Sequence, residues 1–301
     1  MPYLDEQIPR EDALRSSLVK RQENSLESTK SNLRVLKGIF LKDLKYFVRS
    51  PGRLILMFVL PYLLTIAVEA VGKFMGGARS AASFAQTTGT SNVFEYQVLG
   101  ASMWIVSWMT LDRIGTTLRD ERIAGTLEQS YLAPINRFLI LAGMSLVLFI
   151  TNTIAFFGVV VLSIVSVDGS AAIGLGPAFL VLAFSTLPLF GISFVIAGVM
   201  VRFKEPGGFI SIVNLLMAIL MGVYYPVSIL PSWAQLASKF LPQTWALQAM
   251  RMILLSKISL SVLLPNYIAL AAMAVVYPII GYSVFKLYLD KAAVSGDLSK
   301  F

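Results

Sequence analysis

The stretch at 138–167, FLILAGMSLVLFITNTIAFFGVVVLSIVSV, contains no charged side chain in thirty residues. About 20 consecutive apolar residues are enough to carry an α-helix across the hydrocarbon core of a bilayer. Apolar runs of this length are typical of membrane spans, whereas helices of soluble proteins average about three turns. The stretch therefore predicts an integral membrane protein.

Five further stretches of low charge surround this one along the chain. With it, the predicted spans are 54–72, 93–111, 138–167, 171–201, 207–230 and 262–285. The first carries Glu69 and the second carries Glu95, while the other four have no interior charge. The sequence therefore predicts an all-α integral membrane fold with six transmembrane helices.

The composition agrees with a membrane location. Of the 301 residues, 56% are hydrophobic and 14% are charged, and the mean hydropathy is +0.73. Soluble domains are roughly 45–50% apolar and about 25% charged. The chain has no cysteine and no histidine, which excludes a thiol nucleophile, a disulfide, an iron–sulfur cluster and the usual His/Cys zinc site. No metal ligands are predicted.

The net charge of +8 is a topology signal, because the Lys and Arg residues alternate between loops. Twenty of the 25 lie before the first span, in the loops 112–137 and 202–206, and after the last span. The positive-inside rule then places both termini in the cytoplasm, with the protein in the plasma membrane. Nucleic-acid binding is the disfavoured interpretation of the charge.

The chain divides into four segments around the predicted membrane domain at 51–290. Residues 1–32 are polar and predict a mobile cytoplasmic tail, and 291–301 form a second tail. Residues 33–50 predict an amphipathic helix in the headgroup layer, with apolar side chains at three- and four-residue spacing. Those side chains are Leu33, Leu36, Phe40, Leu44 and Phe47.

The loop at 112–137, DRIGTTLRDERIAGTLEQSYLAPINR, is longer than a simple connection between two spans requires. Ile123, Leu127 and Tyr131 recur at four-residue intervals, which predicts a short helix that presents one face to a partner. The alternative is a solvated loop that folds back on the membrane surface, and periodicity alone does not decide between the two.

This loop resembles that of the ABC-2 type permeases, the membrane subunits of ABC transporters. The family motif is an acidic-basic cluster, then G-T-L-E, then a proline before the third span. Here the motif corresponds to Glu121-Arg122, Gly125–Glu128 and Pro134, although D-E-R leaves open whether Asp120 or Glu121 fills the acidic role. A second similarity, over about 225–251, includes YPVSILPSW and LPQTWALQAMR. The resemblance covers roughly 33–290.

The resemblance implies a permease that pairs with a second copy and docks two ATP-binding subunits through a coupling helix. The implied coupling residues are Glu121, Gly125, Thr126, Leu127, Glu128, Tyr131, Leu132 and Pro134. The sequence contains no G-x-x-x-x-G-K-[ST] phosphate loop, so the chain is not expected to be an enzyme. ATP and Mg²⁺ are expected in the partner, and no cofactor is expected in this chain.

The segment between the fifth and sixth predicted spans contains helical pieces too short to cross a bilayer. Pro226, Pro231 and Pro242 separate them, and the resemblance implies that this region forms the outer gate of the path. Irregular backbone at membrane depth must be sheltered from lipid, which favours re-entrant helices. The alternative is an interfacial hairpin anchored by Trp233 and Trp245.

Polar and aromatic side chains within the spans are candidates for function. Glu69 with Lys73 four residues later predicts a structural ion pair rather than a proton relay, and Asn152 and Asn214 are expected to bond across helices. The resemblance places spans two and five along the translocation path. The implied substrate contacts are Trp104, Trp108, Asn214, Met217 and Met221, with ordinary packing as the alternative for each.

Three classes of function can be compared. A secondary transporter would show coupling-ion acids near the midplane and inverted repeats, and neither is found in the sequence. A membrane enzyme needs convergent acids, bases or metal ligands, which this composition scarcely supplies. An ATP-driven exporter permease is therefore predicted, with a drug or lipid as a hydrophobic or amphipathic cargo. Lipid-linked polysaccharide is the alternative cargo.

Overall fold

A computed structural model describes residues 32–90, 92–116, 137–167, 174–200, 207–255 and 260–295. Throughout these ranges the regular structure is helical and contains no strand. The helices are α1 at 32–48, α2 at Pro51–Thr88, α3 at Val93–Gly115, α4 at Arg137–Val167, α5 at Leu175–Met200, α6 at Gly207–Leu220, α7 at Ser232–Lys239, α8 at Pro242–Leu254 and α9 at Leu260–Ser295. A 3₁₀ turn at Val227–Ile229 precedes α7.

Among the described residues, four helices are long and apolar enough to cross a membrane. The qualifying segments are Ile55–Gly76 in α2, Phe138–Ser163 in α4, Leu175–Met200 in α5 and Val262–Lys291 in α9. Each corresponds to one of the predicted spans. The all-helical class is thus confirmed for the described residues, and the four helices are candidate membrane spans. α9 continues to Ser295, past the predicted domain end at 290.

The second predicted span forms a helix of sufficient length that is less apolar than the other four. α3 has 23 residues, and most of its side chains are buried. The buried set includes Gln97, Ser102, Ser107 and Thr110, whose polar groups lower the mean hydropathy. Protein rather than lipid surrounds much of this helix, so its sequence need not be uniformly apolar.

The prediction of a fifth span reaching residue 230 is wrong in its length. α6 ends at Leu220 and has 14 residues, which cover about 21 Å at 1.5 Å per residue. Gly222 adopts a left-handed conformation with φ of 68°, which glycine accepts without a steric penalty. The chain leaves the helix there, and six crossings therefore remain a prediction.

Among the described helices, α5 and α9 form the pair with the most extensive contact. Close approach of their backbones holds this pair together. Gly191 lies against the backbone of Tyr277 and Pro278, and Gly281 lies against the backbone of Gly191. A side chain at either glycine would overlap main-chain atoms of the neighbouring helix. Small residues that let backbones approach in this way are typical of helix pairs in membranes.

The region between α6 and α9 folds partly into the bundle. α8 buries Ala246, Leu247, Ala249 and Met250 and contacts α3, α5 and α9. At 13 residues it is too short to cross a bilayer. α7 is different, because it exposes Trp233, Leu236 and Phe240. One helix thus has the burial expected of a re-entrant segment and the other has the exposure expected of an interfacial one.

Candidate functional site

All eight residues implied in coupling to an ATPase, from Glu121 to Pro134, lie outside the described residues. The described residues that flank them are the end of α3 at Gly115 and the start of α4 at Arg137. We call this side of the bundle the loop end. The predicted coupling segment is attached to the bundle at the loop end.

At the loop end, α1 is attached to α3 by a charged contact that we call the Asp43 clasp. Arg113 Nη2 donates a hydrogen bond to Asp43 Oδ1 over 2.7 Å. The guanidinium of Arg113 also lies 4.7 Å from the ring centroid of Tyr46. The Asp43 side chain is 6% exposed. Because burial of a lone carboxylate is costly, Arg113 makes this position tolerable for an acid.

The contacts of α1 extend to α4. Ile39 packs on the α4 backbone at Gly143, where an added methyl group would lie 3.0 Å from Ile39 Cγ2. Lys42 and Lys45 point outward as expected for an amphipathic helix, but Asp43 is more buried than Leu44 beside it. α1 therefore rests on α3 and α4 through specific contacts as well as through an apolar face.

The residues implied in the translocation path are brought together where α3 meets α6. Trp104 Nε1 donates to the main-chain oxygen of Asn214 over 3.2 Å. The rings of Trp104 and Trp108 stack with centroids 6.3 Å apart. Met217 and Met221 belong to the buried core and expose 3% and 1% of their surface. In the single chain these methionines have packing roles, while the two tryptophans are only half-buried.

The two asparagines behave differently. Asn152 Nδ2 in α4 donates to Thr110 Oγ1 in α3 over 2.8 Å, which confirms the expected bond across helices. Asn214 Nδ2 donates instead to Ile210 O within its own helix. The expectation of a side-chain bond from Asn214 to another helix is wrong for the described residues, because its amide bonds one turn back and its Oδ1 has no partner there.

The predicted pair of Glu69 and Lys73 is present in α2. Lys73 Nζ lies 2.7 Å from Glu69 Oε1, and the side chain of Lys73 is 72% exposed. This i,i+4 arrangement is the one that the helix repeat predicts. A structural ion pair therefore accounts for the charge within the first apolar helix.

The three prolines implied in the gate each lie at the boundary of an element. Pro226 precedes the 3₁₀ turn, Pro231 precedes α7, and Pro242 is the first residue of α8. Proline is favoured at the first turn of a helix because its missing N–H has no intrahelical partner there. These prolines mark the boundaries between the short helices. Their role in an outer gate stays a prediction.

Arg251 in α8 binds α3 and the turn after α6 at the opposite side of the bundle. Its Nη1 donates to Gly222 O over 3.0 Å and its Nη2 donates to Val223 O over 2.6 Å. Nε and Nη2 donate to Tyr96 O, and the guanidinium lies 3.4 Å from the Tyr96 ring centroid. The carbonyls of Gly222 and Val223 directly follow α6, whose C-terminal dipole favours a cation.

Burial lowers the pKa of Arg251, which lies outside the four apolar spans, to about 10. The interaction with Tyr96 opposes that effect and raises the pKa. Because about 10 is well above neutral pH, the guanidinium keeps its positive charge under physiological conditions. Among the described residues, Arg251 is held by neutral carbonyls and an aromatic ring, unlike Arg113, which faces a carboxylate.

Arg251 lines a cavity of about 390 Å³ between the end of α2, the start of α3, and α7 and α8. We call it the α8 cavity and define it by Tyr96, Lys239, Thr244, Gln248 and Arg251. Two of these residues are cationic, and the described residues that line the cavity include neither Asp nor Glu. Among the described residues, no group of three or more possible metal ligands occurs. The chemistry of this cavity is that of an anion-accepting site.

Local sequence patterns did not indicate Asp43, Arg113, Tyr96 or Gln243 as site residues. Gln243 Nε2 donates to Ser185 O over 3.2 Å and fixes α8 to α5. A polar residue on an apolar helix face was the available signal for Asp43 and Gln243. Their partners lie 70 and 58 positions away, so no local pattern indicated which groups they meet.

The chain matches a known protein family. The model of the ABC-2 family transporter proteins matches residues 78–282, about two thirds of the chain. The matched region runs from the end of α2 to α9 and includes both the α3–α6 contact and the α8 cavity. No curated protein matches the sequence.

Proposed function

The chain belongs to the ABC-2 transporter family, and on that premise we propose that it is the membrane subunit of an ATP-driven exporter for a hydrophobic or amphipathic cargo. The family match carries this proposal, together with the four apolar helices that make the chain a multi-pass membrane protein. A permease of this family works with an ATP-binding subunit. ATP and Mg²⁺ would act in that subunit, in which hydrolysis takes place.

The cargo class follows from the character of the helices. The proposed path contacts are aromatic, thioether and amide side chains, and a site of that kind suits a drug or a lipid better than a bare sugar polymer. Trp104 and Trp108 supply half-buried rings next to the apolar surface of α6. Export is the proposed direction, with both termini in the cytoplasm of a cell whose plasma membrane holds the complex.

A second copy of the chain is proposed to cover α6. This helix exposes a run of large apolar side chains, namely Phe209, Ile212, Leu215, Leu216 and Ile219. The half-buried Trp104 and Trp108 on α3 lie at the edge of that surface. A homodimer formed there would enclose a path between the two α6 helices, and two ATP-binding subunits would complete the complex.

Coupling is proposed to run through Gly125–Pro134. Leu127, Tyr131 and Leu132 would enter a cleft of the ATP-binding subunit, and Glu128 would meet a basic group. The Asp43 clasp supports this proposal because it fixes α3 to α1 just before the loop. A displacement of the loop would therefore reach both helices. Glu121 would brace the loop at the membrane face.

The test is Glu128→Arg in the complex with its ATP-binding subunit. Truncating one member of a buried charged pair costs about 2–5 kcal/mol, so reversal of the charge should weaken docking and abolish cargo-stimulated ATP hydrolysis. Membrane insertion should be unchanged. Glu27→Arg is the matched control and should have no effect. A Glu128→Arg complex that assembles and transports like the parent would rule out this coupling segment.

A further inference from the structure

We propose that the α8 cavity binds the anionic headgroup of an amphiphile, with Lys239 and Arg251 as its charge partners. The inference rests on the proposed function for its biological role, in which the amphiphile is cargo. Binding itself depends only on the structure of this chain. The cavity volume of about 390 Å³ lies in the range of small-molecule sites, about 300–1,000 Å³.

The charge balance of the cavity points to an anion. Lys239 and Arg251 both line it, and none of the described residues in the lining is acidic. Lys239 is exposed and, within the described part of the chain, has no ion pair. Arg251 has five N–H groups, and its hydrogen bonds to three carbonyls account for four of them. One Nη1 hydrogen is left to meet a ligand.

A polar group in the wall also requires a partner. The hydroxyl of Thr244 is buried and has no hydrogen-bond partner among the described residues. Buried polar atoms are nearly always satisfied by protein, water or ligand. Gln248, one turn along α8, lines the same cavity and is exposed to it. The two residues add neutral hydrogen-bonding capacity beside the two cations.

The wall also contains apolar side chains, beside neutral polar residues such as Thr87 and Gln235. The apolar part of the wall is the reason why the occupant is an amphiphile rather than a small ion. Trp245, Met252 and Leu255 line the cavity together with the cations. A lone inorganic anion would leave this surface in contact with water. An acyl chain attached to the anionic group would instead remove it from water, at about 25 cal/mol for each Å² of apolar area buried.

The position of α7 indicates where such a molecule would come from. Trp233, Leu236 and Phe240 recur at three- and four-residue spacing and are 72%, 59% and 66% exposed. A short helix with an exposed aromatic and aliphatic face suits the boundary between lipid and water. Lys239 lies at the end of this helix and lines the cavity. We therefore expect this wall of the cavity at the depth where lipid headgroups lie.

The test uses the purified full-length chain in a neutral maltoside detergent. Three probes are titrated, namely dihexanoyl phosphatidylglycerol, dihexanoyl phosphatidylcholine and inorganic phosphate. Binding is followed by calorimetry. The anionic lipid should bind at least about fivefold more tightly than the zwitterionic lipid, as expected for an added charge interaction near the surface. Inorganic phosphate should bind more weakly than the anionic lipid because it covers no apolar surface.

Two variants locate the site. Lys239→Gln removes a cation, and Gln248→Glu adds an acid of nearly equal size; each should weaken binding of phosphatidylglycerol about fivefold and leave phosphatidylcholine unchanged. Lys73→Gln is the control, since it changes the net charge equally and Lys73 does not line the cavity. Melting temperatures equal to that of the parent establish that the variants are folded.

Three results would overturn the proposal: equal affinity for the two lipids, equal loss with Lys73→Gln, or binding of phosphate as tight as that of the anionic lipid. The role as cargo is tested separately in the complex. If lipid discrimination persists but no amphiphile stimulates ATP hydrolysis, the proposed function fails and the site stands. If ATP hydrolysis responds to cargo but the isolated chain does not discriminate, the site fails.

Discussion

The two ends of the bundle each place an arginine over a tyrosine ring, but only one of them neutralises its charge. At the loop end Arg113 meets the carboxylate of Asp43 over 2.7 Å. At the α8 cavity Arg251 meets the carbonyls of Tyr96, Gly222 and Val223. The first arrangement is charge-compensated within the chain, whereas the second leaves a net positive charge beside an open cavity.

The difference shows how one residue type can serve two purposes. A salt bridge such as the Asp43 clasp fixes a helix to its neighbour. Its two charges largely cancel, so little net electric field remains to attract a third charge. A guanidinium held by carbonyl dipoles is equally fixed in position, but its monopole is not cancelled. The loop end is therefore suited to transmit movement, and the α8 cavity is suited to attract an anion.

The largest effect is expected when Arg251 is replaced by Met. Carbonyls of three residues would lose their donor, and the guanidinium stack on Tyr96 would be lost. Leaving such groups unpaired should lower the free energy of unfolding by about 3–5 kcal/mol. Denaturant titration in detergent measures this. Arg251→Lys should be intermediate, and a Met variant as stable as the parent would contradict the role of Arg251 as a tie.

Gly100→Ala should disturb the same end by a smaller amount. A methyl group on Gly100 would overlap the carbonyl oxygen of Val223 and lie 2.7 Å from Arg251 Nη2. Overpacking of this kind costs about 1–3 kcal/mol, which a shift in the unfolding midpoint would report. Gly72→Ala is the control because nothing lies within 4 Å of its added methyl. Because alanine is favoured over glycine within a helix, a Gly100→Ala variant as stable as Gly72→Ala would mean that this close approach does not limit the packing.

Asp43→Asn tests the loop end. The substitution keeps the shape of the side chain but removes the charge that compensates Arg113, and should lower the free energy of unfolding by about 1–2 kcal/mol. Coupling should suffer more than stability, because α1 would be less firmly fixed to the base of the loop. Cargo-stimulated ATP hydrolysis in the complex is the readout.

A double-mutant cycle with Arg113→Gln isolates the interaction of Asp43 with Arg113. The double variant should be less destabilised than the sum of the two single variants, since neither charge is then left alone. Additive effects would mean that the two side chains act independently and that the Asp43 clasp does not connect α1 to α3.

The smallest effect is expected for Glu69→Gln. Its partner Lys73 is 72% exposed, and ion pairs in such positions contribute at most about 1 kcal/mol. The unfolding midpoint should change little, and transport should be unaffected. A marked loss of transport would instead support a role for Glu69 as a proton relay. Glu69 would then join Arg113 and Arg251 as a charged residue with a functional role.

Local sequence patterns predicted the features that depend on neighbouring residues. The apolar runs indicated α2, α4, α5 and α9, and the i,i+4 spacing of Glu69 and Lys73 predicted their ion pair. Motifs in the loop and after α6 indicated the family, which the match over 78–282 supports. The boundary of α6 was missed because apolar residues continue past Gly222, where the backbone turns.

By itself the sequence determined the membrane class, the family and the helices with a strong apolar period, because helix geometry and the bilayer impose those patterns on residues close in the chain. The tertiary structure alone decided that Asp43 meets Arg113 and that Arg251 meets the carbonyl of Tyr96, which are 70 and 155 positions apart. Such contacts depend on the rotation and crossing of whole helices. Glycines such as Gly100 set how closely those helices approach. The α8 cavity exists only because several helices meet there.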